Sequence, residues 1–212
     1  MSNKPGFLIT LEGGEGGGKT TQAVRIRERL TKVGKDVLIL REPGGTVISE
    51  QIREVVLSSK NVGMAFTTEV LLFQAARAQI YRELVIPSLE SGKVVVMDRS
   101  RDSSVVYQGL VRGFGKEMIE ELNNISTKNT YPDLTLLLDV DVAKGLNRRN
   151  DAGDVNRLDM ENKKFHDQVR AAYLELAAAD EMNRWVVIDA DQDVDEVEEA
   201  VWAAVEEKMP SR

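Results

Sequence analysis

Short runs of Val, Ile and Leu alternate along the chain with longer segments in which apolar residues recur at helical spacing. The short runs lack a clean apolar–polar alternation, which is typical of strands covered by helices on both faces. They predict strands at Phe7–Leu11, Asp36–Leu40, Lys93–Asp98, Leu134–Val140 and Trp185–Asp189. The longer segments predict helices at Lys19–Val33, Val47–Ser58, Thr68–Ser91, Lys116–Ser126, Ala143–Arg149, Asp159–Ala179 and Asp193–Lys208. This alternation indicates a doubly wound α/β fold with a mainly five-stranded parallel sheet.

Few segments interrupt this pattern. Lys60–Phe66 and Asn150–Asn156 are expected to be mobile loops, the second being polar with a glycine. There is no internal repeat, low-complexity tract or linker. We therefore expect a single domain over residues 1–212, with a short lid segment at about 148–157.

Composition and charge exclude several classes of protein. Hydrophobic residues make up 42% of the chain and charged residues 30%, which is ordinary for a globular protein. A net charge of −7 argues against a surface for nucleic-acid polymers but leaves room for a small basic pocket. The absence of cysteine excludes disulfides and thiolate sites. No signal peptide or membrane-length apolar stretch is present, so we expect a cytoplasmic protein that does not bind membranes.

The single histidine, His166, limits the available chemistry. Catalytic triads and histidine-rich zinc sites need histidine with partner motifs, and none surrounds this residue. We expect His166 to be a bystander on a helix surface.

The strongest motif is a glycine-rich segment of the form GxxxxGK[ST], followed by a second threonine. It comprises Gly13, Gly14, Glu15, Gly16, Gly17, Gly18, Lys19, Thr20 and Thr21. Glycines allow the backbone N–H groups to surround a phosphate, and the helix that follows directs its positive end at the anion. Lys19 then reaches the outer phosphates and the Thr20 hydroxyl can bind Mg²⁺. We expect this P-loop to bind a nucleoside triphosphate.

The motif alone does not separate a kinase from a GTPase or an ATPase. A GTPase should carry an NKxD motif that reads guanine. The Asn–Lys pairs, Asn3-Lys4 and Asn162-Lys163, do not continue in that way, so a GTPase switch is disfavoured.

Glu15 is unusual inside a phosphate-binding loop, because a triphosphate would repel its carboxylate unless the side chain points elsewhere. An ionised carboxylate only accepts hydrogen bonds, so a substrate hydroxyl is one natural partner. A solvated position at the shoulder of the loop is the alternative.

Further polar residues lie at the ends of the second and third predicted strands. Arg41–Thr46 (REPGGT) follows the second strand and Asp98-Arg99 ends the third, at the edge where open α/β sheets bind ligands. Two pairs share a helical face at spacing i, i+4: Phe73 with Arg77, and Ser104 with Gln108, which has Tyr107 beside it. Stacking groups with hydrogen-bonding partners are what a nucleobase site requires. Taken alone, however, Phe73 could belong to the core and Arg77 to a surface ion pair.

With these motifs the chain resembles bacterial thymidylate kinases over essentially its whole length. The motifs are EGGEGGGKTT (12–21), REPGGT (41–46), FQAARAQ (73–79), DRSRDSSVVYQG (98–109), YPDLTLLLDV (131–140) and YLELA (173–177). The third and fourth are specific to that family. The resemblance implies phosphorylation of dTMP by ATP with Mg²⁺, and a homodimer.

The resemblance also implies roles for individual residues. Phe73 would stack on thymine, whose edge Arg77, Ser104 and Gln108 would bind by hydrogen bonds. Arg53 and Arg99 would bind the acceptor phosphate, and Glu15 the sugar 3′-hydroxyl. Tyr107 would disfavour ribose. Asp98 and Glu42, with Thr20, would organise Mg²⁺ and its waters, while Lys19, Arg99, Arg148 and Arg149 would neutralise charge during transfer.

The chain departs from the family pattern at three places. Ser100 stands where Tyr or His is usual, and Arg101 where the residue is often hydrophobic. The lid retains Arg148, Arg149 and Arg157 but is more acidic than usual. These departures put the packing on the phosphate side, and the arginine that reaches the transferring phosphate, in doubt.

Two other functions compete with this one. The closest is another nucleoside or nucleoside-monophosphate kinase, although a nucleoside kinase would need a base for a neutral hydroxyl and has less use for Arg53 and Arg99. From a different class, a catalytically weak nucleotide-binding module is supported only by the altered lid.

Overall fold

The computed structural model describes residues 6–151, 153 and 156–209. Its five strands form a single parallel sheet in the order β2-β3-β1-β4-β5. The strands are β1 (Phe7–Glu12), β2 (Val37–Arg41), β3 (Val94–Asp98), β4 (Leu134–Asp139) and β5 (Trp185–Asp189). All five predicted strands are found, and the predicted doubly wound fold is confirmed.

Helices cover both faces of this sheet. They are α1 (Lys19–Lys32), α2 (Val47–Leu57), α3 (Phe66–Ile80), α4 (Ile86–Glu90), α5 (Arg101–Ser104), α6 (Lys116–Thr127), α7 (Val142–Asp151), α8 (Lys163–Ala178) and α9 (Val194–Lys208). Helices α3 and α4 are joined by a π-helical turn at Tyr81–Val85, and a second π-helical segment, Val105–Val111, continues α5. None of the helices in the described part of the chain has the length and apolar character that a bilayer crossing requires.

Some boundaries differ from those expected. The segment Lys60–Phe66 is not entirely a loop, because a 3₁₀ turn covers Ser59–Asn61 and Phe66 already begins α3. Helix α8 starts at Lys163 rather than Asp159, since the Asn162 side chain caps it by accepting a hydrogen bond from the Phe165 N–H. Of the predicted lid, Ala152, Asp154 and Val155 lie outside the described residues, as do residues 1–5 and 210–212.

The strands are apolar on both faces because helices bury both. On one face, α1 and α9 place Ile26 and Val201 against Ile9 and Leu136. On the other, the segment after α5 and helix α8 surround Leu137 with aliphatic and aromatic side chains. Burial on both faces is the reason the strand residues show no apolar–polar alternation.

The strand register brings the carboxyl ends of three strands to one edge. Leu11 of β1 and Arg41 of β2 are both paired with Asp98 of β3. The residues that follow these strands, including the P-loop after Glu12, therefore meet at this edge, where open α/β sheets bind ligands.

Candidate active site

A cavity of about 510 Å³ lies at this edge, a volume typical of small-molecule sites. Most of the residues singled out in the sequence line it: Glu15, Gly16, Gly17, Gly18, Lys19, Thr20, Thr21, Glu42, Arg53, Phe73, Asp98, Arg99, Ser104, Tyr107, Gln108, Arg148 and Arg149. Gly13, Gly14 and Arg77 are not part of this lining. The fold thus brings together residues from segments far apart in the chain.

The P-loop packs backbone to backbone against α7. Gly16 has a φ of 67°, and a Cβ added to it would lie 2.0 Å from the carbonyl oxygen of Gly145. A Cβ added to Gly145 would lie 2.3 Å from the carbonyl oxygen of Glu15. Both positions therefore require glycine. This close approach positions α7, which carries Arg148 and Arg149 in its last turn, beside the loop.

Lys19 begins α1 and its side chain turns back into the loop. Its ammonium donates hydrogen bonds to the carbonyl oxygens of Gly14 at 2.6 Å and Gly13 at 3.3 Å. Burial and the nearby Arg99 lower the pKa of Lys19. The buried ammonium lies among peptide dipoles at the start of a helix, which is an environment suited to an anion.

Two side-chain oxygens that could bind a hard cation lie close together at the P-loop. The Thr20 hydroxyl donates a hydrogen bond to Asp98 Oδ2, with 2.5 Å between the oxygens. Nowhere in the described chain do three or more His, Cys, Asp or Glu side chains cluster in a metal-binding arrangement. Mg²⁺ commonly binds through one or two protein oxygens together with phosphate oxygens and waters, so this small donor set fits Mg²⁺ bound with a nucleotide.

Glu15 is held between Arg99 and Tyr107. Its Oε1 accepts hydrogen bonds from Arg99 Nη2 at 2.7 Å and from the Tyr107 hydroxyl at 3.0 Å. Burial raises the pKa of Glu15, but Arg99, Lys19 and Tyr107 outweigh it and lower the pKa to about 2. The alternative, in which Glu15 is solvated at the shoulder of the loop, is therefore wrong. An ionised Glu15 therefore lines the cavity.

Arg99 adopts a conformation that is uncommon for a residue with a side chain. Its φ is 66°, in the left-handed region, and its guanidinium donates to the Gly13 carbonyl oxygen at 2.9 Å as well as to Glu15. The guanidinium also lies 5.3 Å from the centre of the Tyr107 ring. Such backbone strain occurs where surrounding contacts fix a functional side chain.

A buried acid that was not singled out in the sequence lies beneath Arg99. Glu12, at the end of β1, accepts hydrogen bonds from the Ser100 N–H (2.8 Å), the Ser103 hydroxyl (2.6 Å) and the Tyr173 hydroxyl (2.8 Å). Burial, followed by the charge of Asp102, raises the pKa of Glu12 to about 7. The only feature of the sequence that could have indicated this buried acid is its position as a charged residue at the end of an apolar strand.

At the other end of the cavity, an aromatic ring and two polar side chains lie together. Phe73 of α3, Ser104 of α5 and Gln108 of the following segment all line it. The Gln108 side-chain nitrogen donates to Glu69 Oε1 at 2.8 Å. Leu57 and Leu158, which carried no distinctive sequence signal, add apolar surface to the lining.

Arg77 is buried behind this end, with 1% of its surface exposed, so it is not part of a surface ion pair. Its guanidinium makes an ion pair with Glu42 at 2.7 Å and donates to Ser104 Oγ, Asn123 Oδ1 and the Ser100 carbonyl oxygen. Four of its five N–H groups therefore donate hydrogen bonds to the protein. Arg77 thus holds Glu42 and Ser104 in place.

Three further arginines singled out in the sequence line the cavity, and each contacts another group of the protein. Arg53 donates to the Pro43 carbonyl oxygen at 2.7 Å. Arg148 donates to the Ala190 carbonyl oxygen at 3.2 Å, and Arg149 forms an ion pair with Asp159 at 3.0 Å. Arg157, by contrast, is buried and forms an ion pair with Glu69 at 2.6 Å, away from the cavity lining.

Neither of the two departures after Asp98-Arg99 is part of the cavity lining. The Ser100 hydroxyl forms a hydrogen bond with the Tyr81 hydroxyl at 2.8 Å. The Arg101 guanidinium lies 3.6 Å from the centre of the Tyr131 ring and forms an ion pair with Glu120 at 2.6 Å. Arg101 therefore connects α5 to α6.

The expectation that His166 lies on a helix surface is wrong, because only 4% of its surface is exposed. Helix α8 buries a wide stripe that also contains Phe165, Val169 and Tyr173. The imidazole packs edge-on against Phe165 and lines a small void beside Gly14.

Comparisons with known proteins agree with this geometry. A family model described as Thymidylate kinase matches residues 11–201. Thymidylate kinase from Deinococcus radiodurans is 44% identical over 203 residues, covering 96% of this chain and 98% of its own. Those from Pelobacter propionicus and a Geobacillus species are 42% identical over 206 and 209 residues, covering 94% and 98% of this chain and 94% and 99% of their own.

The fold is also similar to a solved structure. The crystal structure of thymidylate kinase from Ehrlichia chaffeensis matches with a TM-score of 0.77 at 28% identity, covering 94% of this chain and 98% of that one. The sequence motifs, the cavity and the full-length similarity lead to the same conclusion. The chain belongs to the thymidylate kinase family.

Proposed function

We propose that the protein transfers the γ-phosphoryl group of ATP to the phosphate of dTMP, giving ADP and dTDP. The observation that carries this proposal is the set of side chains that line the cavity. One end is a P-loop with a buried lysine, the other holds an aromatic ring with two amide or hydroxyl side chains, and Glu15 and Arg99 lie between them. A cavity of this kind can bind two nucleotides with their phosphates facing each other.

The base of dTMP would stack on Phe73, with Ser104 and Gln108 bonding its edge. Arg77 would contribute mainly by holding Ser104, since it is buried and does not line the cavity. The thymine methyl group in an apolar slot is worth about 1–3 kcal/mol.

The sugar and acceptor phosphate would occupy the middle of the cavity. The ionised Glu15 would accept a hydrogen bond from the 3′-hydroxyl, and the Tyr107 ring beside it would leave little room for a 2′-hydroxyl. Arg53 and Arg99 would bind the phosphate, both guanidinium groups lying on the cavity wall.

The triphosphate of ATP would lie on the backbone amides of residues 13–18, with Lys19 reaching its outer phosphates. The Thr20 and Asp98 oxygens would hold Mg²⁺, and Glu42 would bind its waters. When bound, Mg²⁺ supplies charge neutralisation on the phosphate oxygens.

The reaction needs little acid–base chemistry from the protein. The acceptor is a phosphate oxygen, largely anionic at neutral pH because its second pKa is about 6. The difficulty is to bring two anions together in line, so catalysis rests on positioning and charge neutralisation. Lys19, Arg99 and the lid arginines Arg148 and Arg149 would supply positive charge.

A coupled assay of ADP release with purified protein, ATP, Mg²⁺ and each nucleoside monophosphate in turn tests this function. We expect selective turnover with dTMP, weaker turnover with dUMP, and almost none with AMP, CMP or GMP. Preferred turnover of another monophosphate would favour a different kinase activity. No turnover with any acceptor would favour a nucleotide-binding module.

The protein would act as a cytoplasmic single-domain enzyme that assembles into a homodimer. Helices α2, α3 and α6 pack side by side and expose apolar side chains: Val47, Ile48, Val55, Leu71, Met118 and Ile125. Exposed apolar surface of this extent is typical of protein–protein interfaces, and a second copy is the occupant that the family resemblance implies. Sedimentation equilibrium should give twice the chain mass for the wild type and the chain mass for Leu71→Glu. A monomeric wild type would contradict this.

A further inference from the structure

A fully buried carboxylate lies beneath the base end of the cavity. Glu69 of α3 has no exposed surface, and its Oε1 accepts the hydrogen bond from Gln108 Nε2 at 2.8 Å. Its Oε2 accepts a hydrogen bond from Arg157 Nη2 at 2.6 Å, and Arg112 Nε lies 3.6 Å from Oε1. Two arginines therefore surround this carboxylate.

The chemistry of this contact fixes the orientation of the Gln108 amide. An ionised carboxylate has acceptors but no donor, whereas an amide has a donor end and an acceptor end. Reversing the amide would place two oxygen atoms against each other with no proton between them. With its nitrogen on Glu69, Gln108 offers its carbonyl oxygen to a ligand in the cavity.

We propose that Glu69 is a specificity-determining positioning residue that acts through Gln108. The carbonyl oxygen of Gln108 accepts a hydrogen bond from an N–H at position 3 of a pyrimidine. Thymine and uracil carry N3–H, whereas N3 of cytosine is an acceptor and meets the same oxygen without a proton. Glu69 thereby selects against cytosine nucleotides by an unfavourable contact. This inference rests on the proposed position of the base beside Gln108.

The surroundings of Glu69 keep its carboxylate in this position. Arg157 is itself fixed, because its Nε donates to the Val56 carbonyl oxygen at 3.1 Å and its backbone N–H to the Leu57 carbonyl oxygen at 3.0 Å. A buried carboxylate that is paired with arginines and hydrogen-bonded on both oxygens has few alternative positions. The orientation of Gln108 is therefore built into the protein before any nucleotide binds.

Glu69→Gln tests this role. The new side chain has one acceptor oxygen, which Arg157 should take, leaving its NH₂ group to face Gln108. The Gln108 amide then reverses and presents N–H to the base. We expect the KM for dTMP to rise about tenfold with kcat changed less than about threefold, and the ratio of kcat/KM for dTMP over dCMP to fall about tenfold or more.

Three further variants separate the possible outcomes. Glu120→Gln makes the same change at an ion pair outside the cavity and should leave the dTMP/dCMP ratio unchanged. Glu69→Asp draws the carboxylate away from Gln108 while keeping its charge. It should lower the dTMP/dCMP ratio by a smaller factor than Glu69→Gln. If Glu69→Gln does not fold, Glu69→Asp tests the role of Glu69 instead. Gln108→Ala tests the position of the base itself and should also lower the ratio.

The dTMP/dCMP ratios of these variants together show whether Glu69 acts through Gln108. A lower ratio in Gln108→Ala and in the Glu69 variants, but not in Glu120→Gln, supports the inference. A lower ratio in Gln108→Ala with no change in either Glu69 variant overturns it and leaves the base position intact. No change in Gln108→Ala overturns the base position and the role of Glu69 together.

Discussion

The two ends of the cavity are built in different ways. The proposed phosphate end is one continuous segment, residues 13–21, whose backbone amides and Lys19 would form the cradle. The base end is assembled from side chains on separate elements, with Phe73 on α3 and Ser104 and Gln108 on and after α5. The proposed phosphate site is thus a local feature of the chain, whereas the proposed base site depends on how distant elements pack.

This difference predicts different sensitivities. At the phosphate end, side chains that carry charge should determine the rate of transfer, because the two reacting groups are anions. At the base end, side chains that contact only the base should determine which nucleotide binds and how tightly. Substitutions at the two ends should therefore separate into effects on kcat and effects on KM.

The largest effect is expected at Lys19. Lys19→Ala removes the buried ammonium from the cradle, and we expect kcat to fall by about 10³-fold or more, since charge stabilisation dominates phosphoryl transfer. Lys163→Ala, at an exposed lysine of α8, is the matched control and should retain full activity. Steady-state kinetics with saturating dTMP measure both. A loss of less than about tenfold would exclude a direct role for Lys19.

The next largest effect is expected at the two lid arginines. For the one that reaches the transferring phosphoryl group, replacement by alanine should lower kcat by about 10³-fold. The KM for dTMP should change little in either Arg148→Ala or Arg149→Ala. Arg27→Ala, at an exposed arginine of α1, is the control. If turnover barely changed in both variants, neither arginine would act on the reacting group.

At the base end, Phe73→Ala should act on binding. Stacking of a base on an aromatic ring is worth about 1–3 kcal/mol, so the KM for dTMP should rise about 10- to 100-fold with a smaller change in kcat. Phe66→Ala removes an aromatic ring from the same helix that does not line the cavity, and should leave KM unchanged. Equal changes in KM for both variants would show that the effect reflects stability rather than stacking.

The smallest effect concerns Glu12, beneath the junction of the two ends. Because its pKa is raised to about 7 by burial and by Asp102, the folded protein binds this proton more tightly than the unfolded chain does. The stability that protonated Glu12 contributes is present below about pH 4.5 and lost as the pH rises through 7. A glutamine at this position does not ionise, so Glu12→Gln should not lose this stability as the pH rises.

The measurement is denaturant unfolding of both proteins from pH 5 to pH 8. The free energy of unfolding of Glu12→Gln, relative to the wild type, should increase by about 2 kcal/mol over that range. A constant difference between the two proteins would show that Glu12 is already ionised at pH 5.

The sequence predicted the local features and most of the cavity lining, but not the buried partners of individual charged residues. The P-loop motif, the strands and the lining side chains Phe73, Ser104 and Gln108 follow from patterns within one segment, whereas Arg77, which the spacing paired with Phe73, is buried outside the lining. His166 was misplaced because the sequence does not show that α8 buries such a wide stripe. Glu69 and Glu12 were missed because a charged residue in an apolar segment does not reveal its distant partners.

Two glycine contacts illustrate the same limit. The P-loop glycines could be predicted from their motif, because phosphate binding itself requires them. Gly145 could not be assigned a role, although a glycine inside a helix costs about 1 kcal/mol relative to alanine and so signals a close approach. Only the packing of α7 on the loop shows that Gly145 faces Gly16.

The most direct test is a crystal structure of the protein with ADP, dTMP and Mg²⁺. We expect the β-phosphate of ADP on the amides of residues 13–18, the thymine ring against Phe73, and N3 of thymine within hydrogen-bonding distance of Gln108 Oε1. A dTMP molecule bound with its base away from Phe73 and Gln108, or with its phosphate in the P-loop, would contradict the assignment of the two ends.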